Sequence, residues 1–155
     1  MLKLYYGDAK NKNRLCIGAA VLAAMKEKNV LFVQFLRGDQ TDNKLLCDHS
    51  AHIVFMEPEV TIALDENDDV KRSRMERALG DFFDRAVRMA LTFKYEVLLL
   101  DRIFDVVDAG LLSASEVHAF LSNAPDRVEI ICTGEAIENR FVSLADEAVE
   151  MKNMK

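Results

Sequence analysis

The chain has 155 residues, half of them hydrophobic and 30% charged, with a formal net charge of −6. This length suits one domain with a sizeable buried core. The acidic balance argues against general nucleic-acid binding through phosphate contacts, and no apolar run approaches the roughly 20 residues of a membrane span.

Residues 2–6, Leu-Lys-Leu-Tyr-Tyr, read as a first strand, and residues 15–26 as a helix. Between them lies the tight loop Gly7-Asp8-Ala9-Lys10-Asn11-Lys12-Asn13-Arg14. Residues 30–36 form a second strand, nearly all apolar, and 52–56 a shorter third. The segment from Gly38 to Asp48 is a polar loop. An acidic stretch, 64–69, precedes a long helix over 70–93, where its charge suits the helix dipole; it lacks the glycine and terminal glutamate of a calcium loop. The long helix has apolar Met75, Leu79, Phe82, Phe83, Ala86 and Ala90 three and four apart. Residues 96–101 are a fourth strand. Ser113-x-x-Glu116 is a capping box opening a helix to about Ser122, with Pro125 beyond. Residues 128–133 are a fifth strand, 138–146 a short helix and 148–151 a short sixth strand. Continuous apolar strands imply a sheet covered on both faces. Alternation with helices gives an α/β fold: a mainly parallel sheet flanked by helices, in one domain over 1–155.

Cys16, Cys47 and Cys132 are odd in number and widely spaced, which argues against a disulfide framework. The chain starts on a strand with no recognisable signal or transit peptide, so a cytoplasmic location is expected. Cys47-Asp48-His49 offers soft and imidazole ligands close together, yet without the full set of a zinc site. His118 has no adjacent nucleophile, and Met75 and Met89 read as helix core. No metal site is expected.

Two stretches carry candidate chemistry. Strand, tight loop and helix is where a nucleotide's phosphates sit. Such a loop needs small residues so that successive N–H groups turn toward one anion. It also needs a lysine for the outer phosphates and a hydroxyl for magnesium. Gly7 and Lys12 fit, whereas Asn11 and Asn13 flank the lysine in place of glycine and hydroxyl. The other reading is a plain turn with a basic tip. The second stretch is Leu98-Leu99-Leu100-Asp101-Arg102. An aspartate ending a buried strand sits where α/β sheets place ligand groups; it also serves to cap nearby backbone.

In this order, these pieces resemble the phosphate-loop type of ATP:cob(I)alamin adenosyltransferase family. The family's start, approximately G-[DN]-G-K-G-K-T-T-A-A-x-G, meets Gly7-Asp8-Ala9-Lys10-Asn11-Lys12-Asn13-Arg14-Leu15-Cys16-Ile17-Gly18. Its Q-F-[LI]-K-G meets Gln34-Phe35-Leu36-Arg37-Gly38, and its L-L-D-E meets Leu99-Leu100-Asp101-Arg102. The C-terminal part matches best, through Glu116-Val117, Ala124-Pro125, Thr133-Gly134 and Leu144-Ala145-Asp146-Glu147-Ala148-Val149-Glu150-Met151. The resemblance spans nearly the whole chain. It implies a RecA-like phosphate-loop fold, transfer of the 5′-deoxyadenosyl group of ATP to a reduced corrinoid, and a homodimer. ATP, corrinoid and magnesium are the cofactors it implies.

The departures cluster at the site. Ala9 and Asn11 stand for loop glycines, where a Cβ restricts positive φ and crowds the approach to phosphate. Asn13 and Arg14 stand for two threonines. Arg102 stands for an acidic residue near the metal; a guanidinium there repels magnesium and is expected to pair with Asp101. The corrinoid-side G-F-T-W segment is not recognisable, with Phe55-Met56-Glu57-Pro58-Glu59-Val60 at about its place, and neither the H-P-F tail nor an N-terminal arm is seen. The expectation is a diverged homologue with impaired or lost Mg-ATP binding, acting as a binding or regulatory protein, with an active paralogue as one partner. An active transferase with an atypical loop, or another enzyme using the altered pocket, stays open. Lys10, Lys12, Arg14 and Arg102 either converge on an anion such as nucleotide phosphate, without a metal, or are solvated or paired with Asp8, Asp101 and Asp105.

Overall fold

The computed structural model describes residues 1–10, 12–37, 46, 48 and 50–155. The expectations placed on Asn11, on most of the polar loop at 38–48, and on Cys47 and His49 lie outside these residues. In chain order the elements are β1 (Leu2–Tyr6), α1 (Lys12–Met25), β2 (Val30–Gln34), β3 (Ile53–Met56), α2 (Asp69–Ala90) and β4 (Val97–Asp101). They continue with α3 (Ile103–Asp108), α4 (Ala114–Ser122), β5 (Glu129–Gly134), α5 (Asn139–Val142) and β6 (Glu147–Glu150). The strands form one six-stranded sheet in the order β3-β2-β4-β5-β1-β6, and every pairing is parallel. This is the α/β class that the apolar runs predict.

Successive side chains of a strand point to opposite faces, so each central strand serves two cores. Leu2, Leu4, Leu31, Val33, Leu98, Leu100, Ile130 and Cys132 face one way. They pack against Met75, Leu79, Phe82 and Phe83 of α2, Phe104 of α3, Val117 of α4 and Phe141 of α5. Val30, Phe32, Val97, Leu99 and Ile131 face the other way, against Cys16, Ala20 and Ala23 of α1. β2 and β4 are buried along their whole length, which explains why their sequences show no polar alternation.

Local chemistry sets the helix boundaries. Asp68 caps α2 by accepting from the Lys71 N–H at 2.9 Å, so the acidic stretch delivers a cap and a first-turn charge. Ser113 caps α4 by accepting from the Glu116 N–H at 3.3 Å. Several helices differ from expectation: α2 ends at Ala90 and α5 at Val142, short of the 93 and 146 expected. α1 begins at Lys12, three residues before the predicted Leu15, so Lys12, Asn13 and Arg14 form its first turn. α3 is a helix that the sequence did not announce; its six residues follow β4 immediately.

Candidate functional site at the carboxyl ends of the strands

β5 lies between β4 and β1, with Leu100 in register with Cys132 and Tyr6 in register with Gly134. The carboxyl ends of these three strands therefore bring together Asp101, Thr133, Gly134 and the loop that starts at Gly7. In open α/β sheets this is where ligands bind.

The loop is tied on several sides by its own chain. Gly7 has φ +116, and a Cβ there would lie 2.2 Å from the Met151 carbonyl oxygen, so only glycine fits. Its N–H donates to the Glu135 carbonyl at 2.9 Å. The Ala9 N–H donates to the Met151 carbonyl at 3.3 Å, and the Met151 N–H returns to the Tyr6 carbonyl at 2.6 Å. Asp8 accepts from the Asn153 N–H at 2.8 Å. Lys12 is 7% exposed, and its ammonium donates to the carbonyls of Gly7 and, at 2.8 Å, Ala9. Lys10 and Arg14 are exposed. Asn13 carries the one buried side-chain oxygen without a hydrogen-bond partner among the described residues, Oδ1.

Asp101 is fully buried and collects donors: Thr133 Oγ1 at 2.8 Å, Gln34 Nε2 at 3.2 Å and Cys16 Sγ at 3.8 Å. Burial pushes its carboxyl above the ordinary aspartate value, while the bonds from Thr133 and Gln34 and the charge of Arg102 pull it partly back. Burial, reinforced by Asp101, also raises the Cys16 thiol well above the ordinary range, and burial raises that of Cys132. Both thiols are inert packing groups.

Arg102 does not pair with Asp101 as expected. It has φ 61, in the left-handed region, at the junction of β4 and α3. From there its Nε donates to Asp105 Oδ2 at 2.8 Å, three residues on, while its N–H donates to Thr133 Oγ1 at 2.8 Å. The second oxygen of Asp105 accepts from the Glu135 N–H at 2.7 Å. Asp105 therefore fastens the β4–α3 junction to the end of β5. The four basic residues consequently do not point at one centre: Lys12 and Arg102 have partners inside the protein, and Lys10 and Arg14 face solvent.

Sequence reasoning singled out Asp101 as a site residue but read its partners Gln34 and Thr133 only as parts of the family resemblance. The missed signal is a polar residue at or next to the carboxyl end of a largely apolar strand, as in VLFVQ, VLLLD and EIICTG. Nothing comparable marks Met151, because its contribution to the loop is made by backbone atoms alone.

Among curated proteins the chain is similar to a protein of Nostoc sp. PCC 7120 described only as uncharacterized, at 28% identity over 170 residues. That match covers 97% of this chain and 43% of the Nostoc protein, so the chain spans less than half the length of that relative. It is also similar to the corrinoid adenosyltransferases of Escherichia coli K12, at 26% identity, and Salmonella typhimurium LT2, at 25%. Each of these covers 98% of this chain and 76% of the relative. Among solved structures, domain III of the Thermotoga maritima replication initiation protein DnaA superposes with a TM-score of 0.44 at 18% identity, over 97% of this chain and 54% of that one. The family described as ATP:corrinoid adenosyltransferase BtuR/CobO/CobP matches residues 1–155. From end to end, then, this chain belongs to the ATP:corrinoid adenosyltransferase family.

Proposed function

We propose that this protein is a diverged corrinoid adenosyltransferase homologue in which Mg-ATP binding and adenosyl transfer are impaired or lost. It acts instead as a binding or regulatory protein in corrinoid metabolism. The observation that carries this reading is the position of Lys12, whose ammonium is held by two carbonyls of its own loop.

Adenosyl transfer from ATP needs a polarised triphosphate leaving group, stabilised by donors set in advance where charge develops. Removing one such donor costs about 3 kcal/mol of transition-state stabilisation, roughly a hundredfold or more in rate. Here Lys12 and the Ala9 N–H both have partners within the chain. Magnesium asks for a near-octahedral set of oxygens. Asp101 already accepts from three side chains, Arg102 stands beside it, and no hydroxyl stands at position 13. ATP, if it binds, meets cations and N–H groups rather than a metal. An active transferase with an atypical loop is the second reading. The unpartnered Asn13 Oδ1 favours it, as an acceptor where the family places a metal-holding hydroxyl.

Calorimetric titration of the protein with ATP, with and without Mg²⁺, separates the two. The proposal predicts no Mg²⁺-dependent heat. Weak binding that is indifferent to Mg²⁺ and lost in Lys12→Ala identifies the loop as a metal-free anion site. Tight binding that requires Mg²⁺, followed by adenosylation of reduced corrinoid, refutes the proposal and establishes the second reading.

A further inference from the structure

α1 carries no charged residue from Leu15 to Met25, and apolar or small residues occupy all of its faces. A helix of that composition is normally covered all round. Yet only Cys16, Ala20 and Ala23 of this stretch are buried, while Leu22 and Met25 are 61% and 76% exposed. Beside the helix runs a groove of about 520 Å³. Its wall is Leu15, Gly18, Ala19, Leu22, Ala23 and Lys26, and its floor includes Tyr5, Val97 and Ile131. The wall residues recur at i, i+3, i+4, i+7, i+8 and i+11, the spacing of a helix-packing seam about 16 Å long. The seam runs along the edge of the face that packs on the sheet: Ala23 belongs to both, while Leu22 stands out into solvent.

Gly18 sharpens the point. It lies inside the helix, and a Cβ built on it meets nothing within 4 Å. Glycine weakens a helix interior, and no contact within the chain calls for it here. Flanked by Leu15 and Leu22, it forms a hole of the kind that a side chain from a neighbouring helix fills.

The charges around the groove restrict the occupant. The charged lining is Lys3, Lys26, Lys28 and Glu129. Lys3 pairs with Glu129 at 3.0 Å, and Glu147 accepts from the Tyr5 hydroxyl at 3.1 Å. Lys26 and Lys28 stand at the carboxyl end of α1. A helix antiparallel to α1 would start beside them, and acidic residues are at home in a helix's first turn. A second copy of α1 does not suit: it begins Lys12-Asn13-Arg14 and would set Arg14 against Lys26.

We propose that the flank of α1 is a docking groove for an amphipathic helix of a partner protein, antiparallel to α1, with an apolar seam over Gly18 and an acidic first turn beside Lys26 and Lys28. The test uses two fluorescein-labelled helical peptides of about twenty residues, long enough to span the seam. One carries glutamates in its first turn, and the other carries lysines there; their apolar seams are identical. Fluorescence anisotropy with the full chain is expected to show the acidic peptide binding at least about tenfold more tightly. Gly18→Leu, whose Cβ meets nothing within 4 Å in the native chain, should weaken that binding at least tenfold. Lys26→Glu with Lys28→Glu should reverse the preference between the peptides. Circular dichroism verifies that both variants fold. Equal binding of the two peptides overturns the proposal, as does no binding of the acidic one up to about 1 mM. Self-association abolished by Leu22→Asp also overturns it, since a second copy would then be the occupant.

Discussion

Asp105→Ala tests whether the junction after β4 is fastened as described. In the native protein this carboxylate is 6% exposed and holds two donors, Arg102 Nε at 2.8 Å and the Glu135 N–H at 2.7 Å. Alanine leaves the partly buried Glu135 N–H without its charged acceptor, a loss of about 1.5–3 kcal/mol. The ion pair adds less, about 0.2–1 kcal/mol, because the Arg102 side chain is 36% exposed and solvent screens it. The expected loss is therefore about 2–4 kcal/mol, read as a lower midpoint in urea at unchanged slope. Asp105→Asn keeps an oxygen for Glu135 and should lose about half as much. Arg102 supplies a sharper check through its φ of 61. Arg102→Gly forfeits the ion pair but relieves a left-handed conformation worth about 1 kcal/mol, so its net effect in the native background is near zero. In the Asp105→Ala background the pair is already gone, and the same change should stabilise by about 1 kcal/mol. A loss below about 1 kcal/mol for Asp105→Ala, or an Arg102→Gly effect identical in both backgrounds, would refute the reasoning.

The buried Asp101 makes a pH prediction whose sign is fixed by its raised pKa. The folded protein binds this proton more tightly than the unfolded chain does. That contribution is fully present below the unfolded value, near 3.9, and is lost as pH rises through the raised folded value. Asp101→Asn, which cannot lose it, should gain stability relative to the native protein across that window; a carboxyl ¹³C resonance titrating at or below the ordinary aspartate value would contradict this. Two glycines should respond oppositely to alanine in thermal melts. At Gly134 the new Cβ would lie 2.4 Å from the Phe104 Cβ and 3.2 Å from its Cα, so backbone must move, at a cost of about 2 kcal/mol or more. Gly18→Ala meets nothing and should raise stability by about 1 kcal/mol, or about 2–4 °C in a chain of this size; equal effects at the two sites would be inconsistent with the packing described.

How much of this was legible beforehand follows from what each signal depends on. β1 was read with its observed bounds and the other strands within two residues; β2 and β4, buried on both faces, announce themselves by uninterrupted apolar runs. α2 was legible from its periodicity and α4 from the Ser113 capping box; the cap that Asp68 supplies to α2 was not foreseen. α3 was not, because its six residues are nearly all buried and show no amphipathic alternation. The candidate site divides in the same way. Gly7, Lys12 and Asp101 were visible by residue type, since each is constrained by what it is. Their partners were less so, because a lysine's direction depends on which carbonyls lie nearby; Asp105 was one of three aspartates open to the four basic residues, and the choice of it by Arg102 follows from the left-handed φ at Arg102.

The strand order has a consequence for how the molecule comes into being. β1 precedes every other strand of the sheet, yet it pairs with β5 and β6, with Leu2 beside Ile130 and Lys3 beside Glu147. Synthesis therefore delivers β1 well before either of its neighbours. β2, β3 and β4 can find one another while the N-terminal strand still waits. Such distant pairings are slow to form. They leave an apolar strand unprotected during synthesis, a hazard for association with other nascent chains. The loop from Gly7 is tied by Glu135 and Met151, so the candidate site cannot close until the chain has been made as far as residue 151. Shortening the chain by even a few residues before Met151 would remove the backbone that holds the loop, with most of the sheet intact.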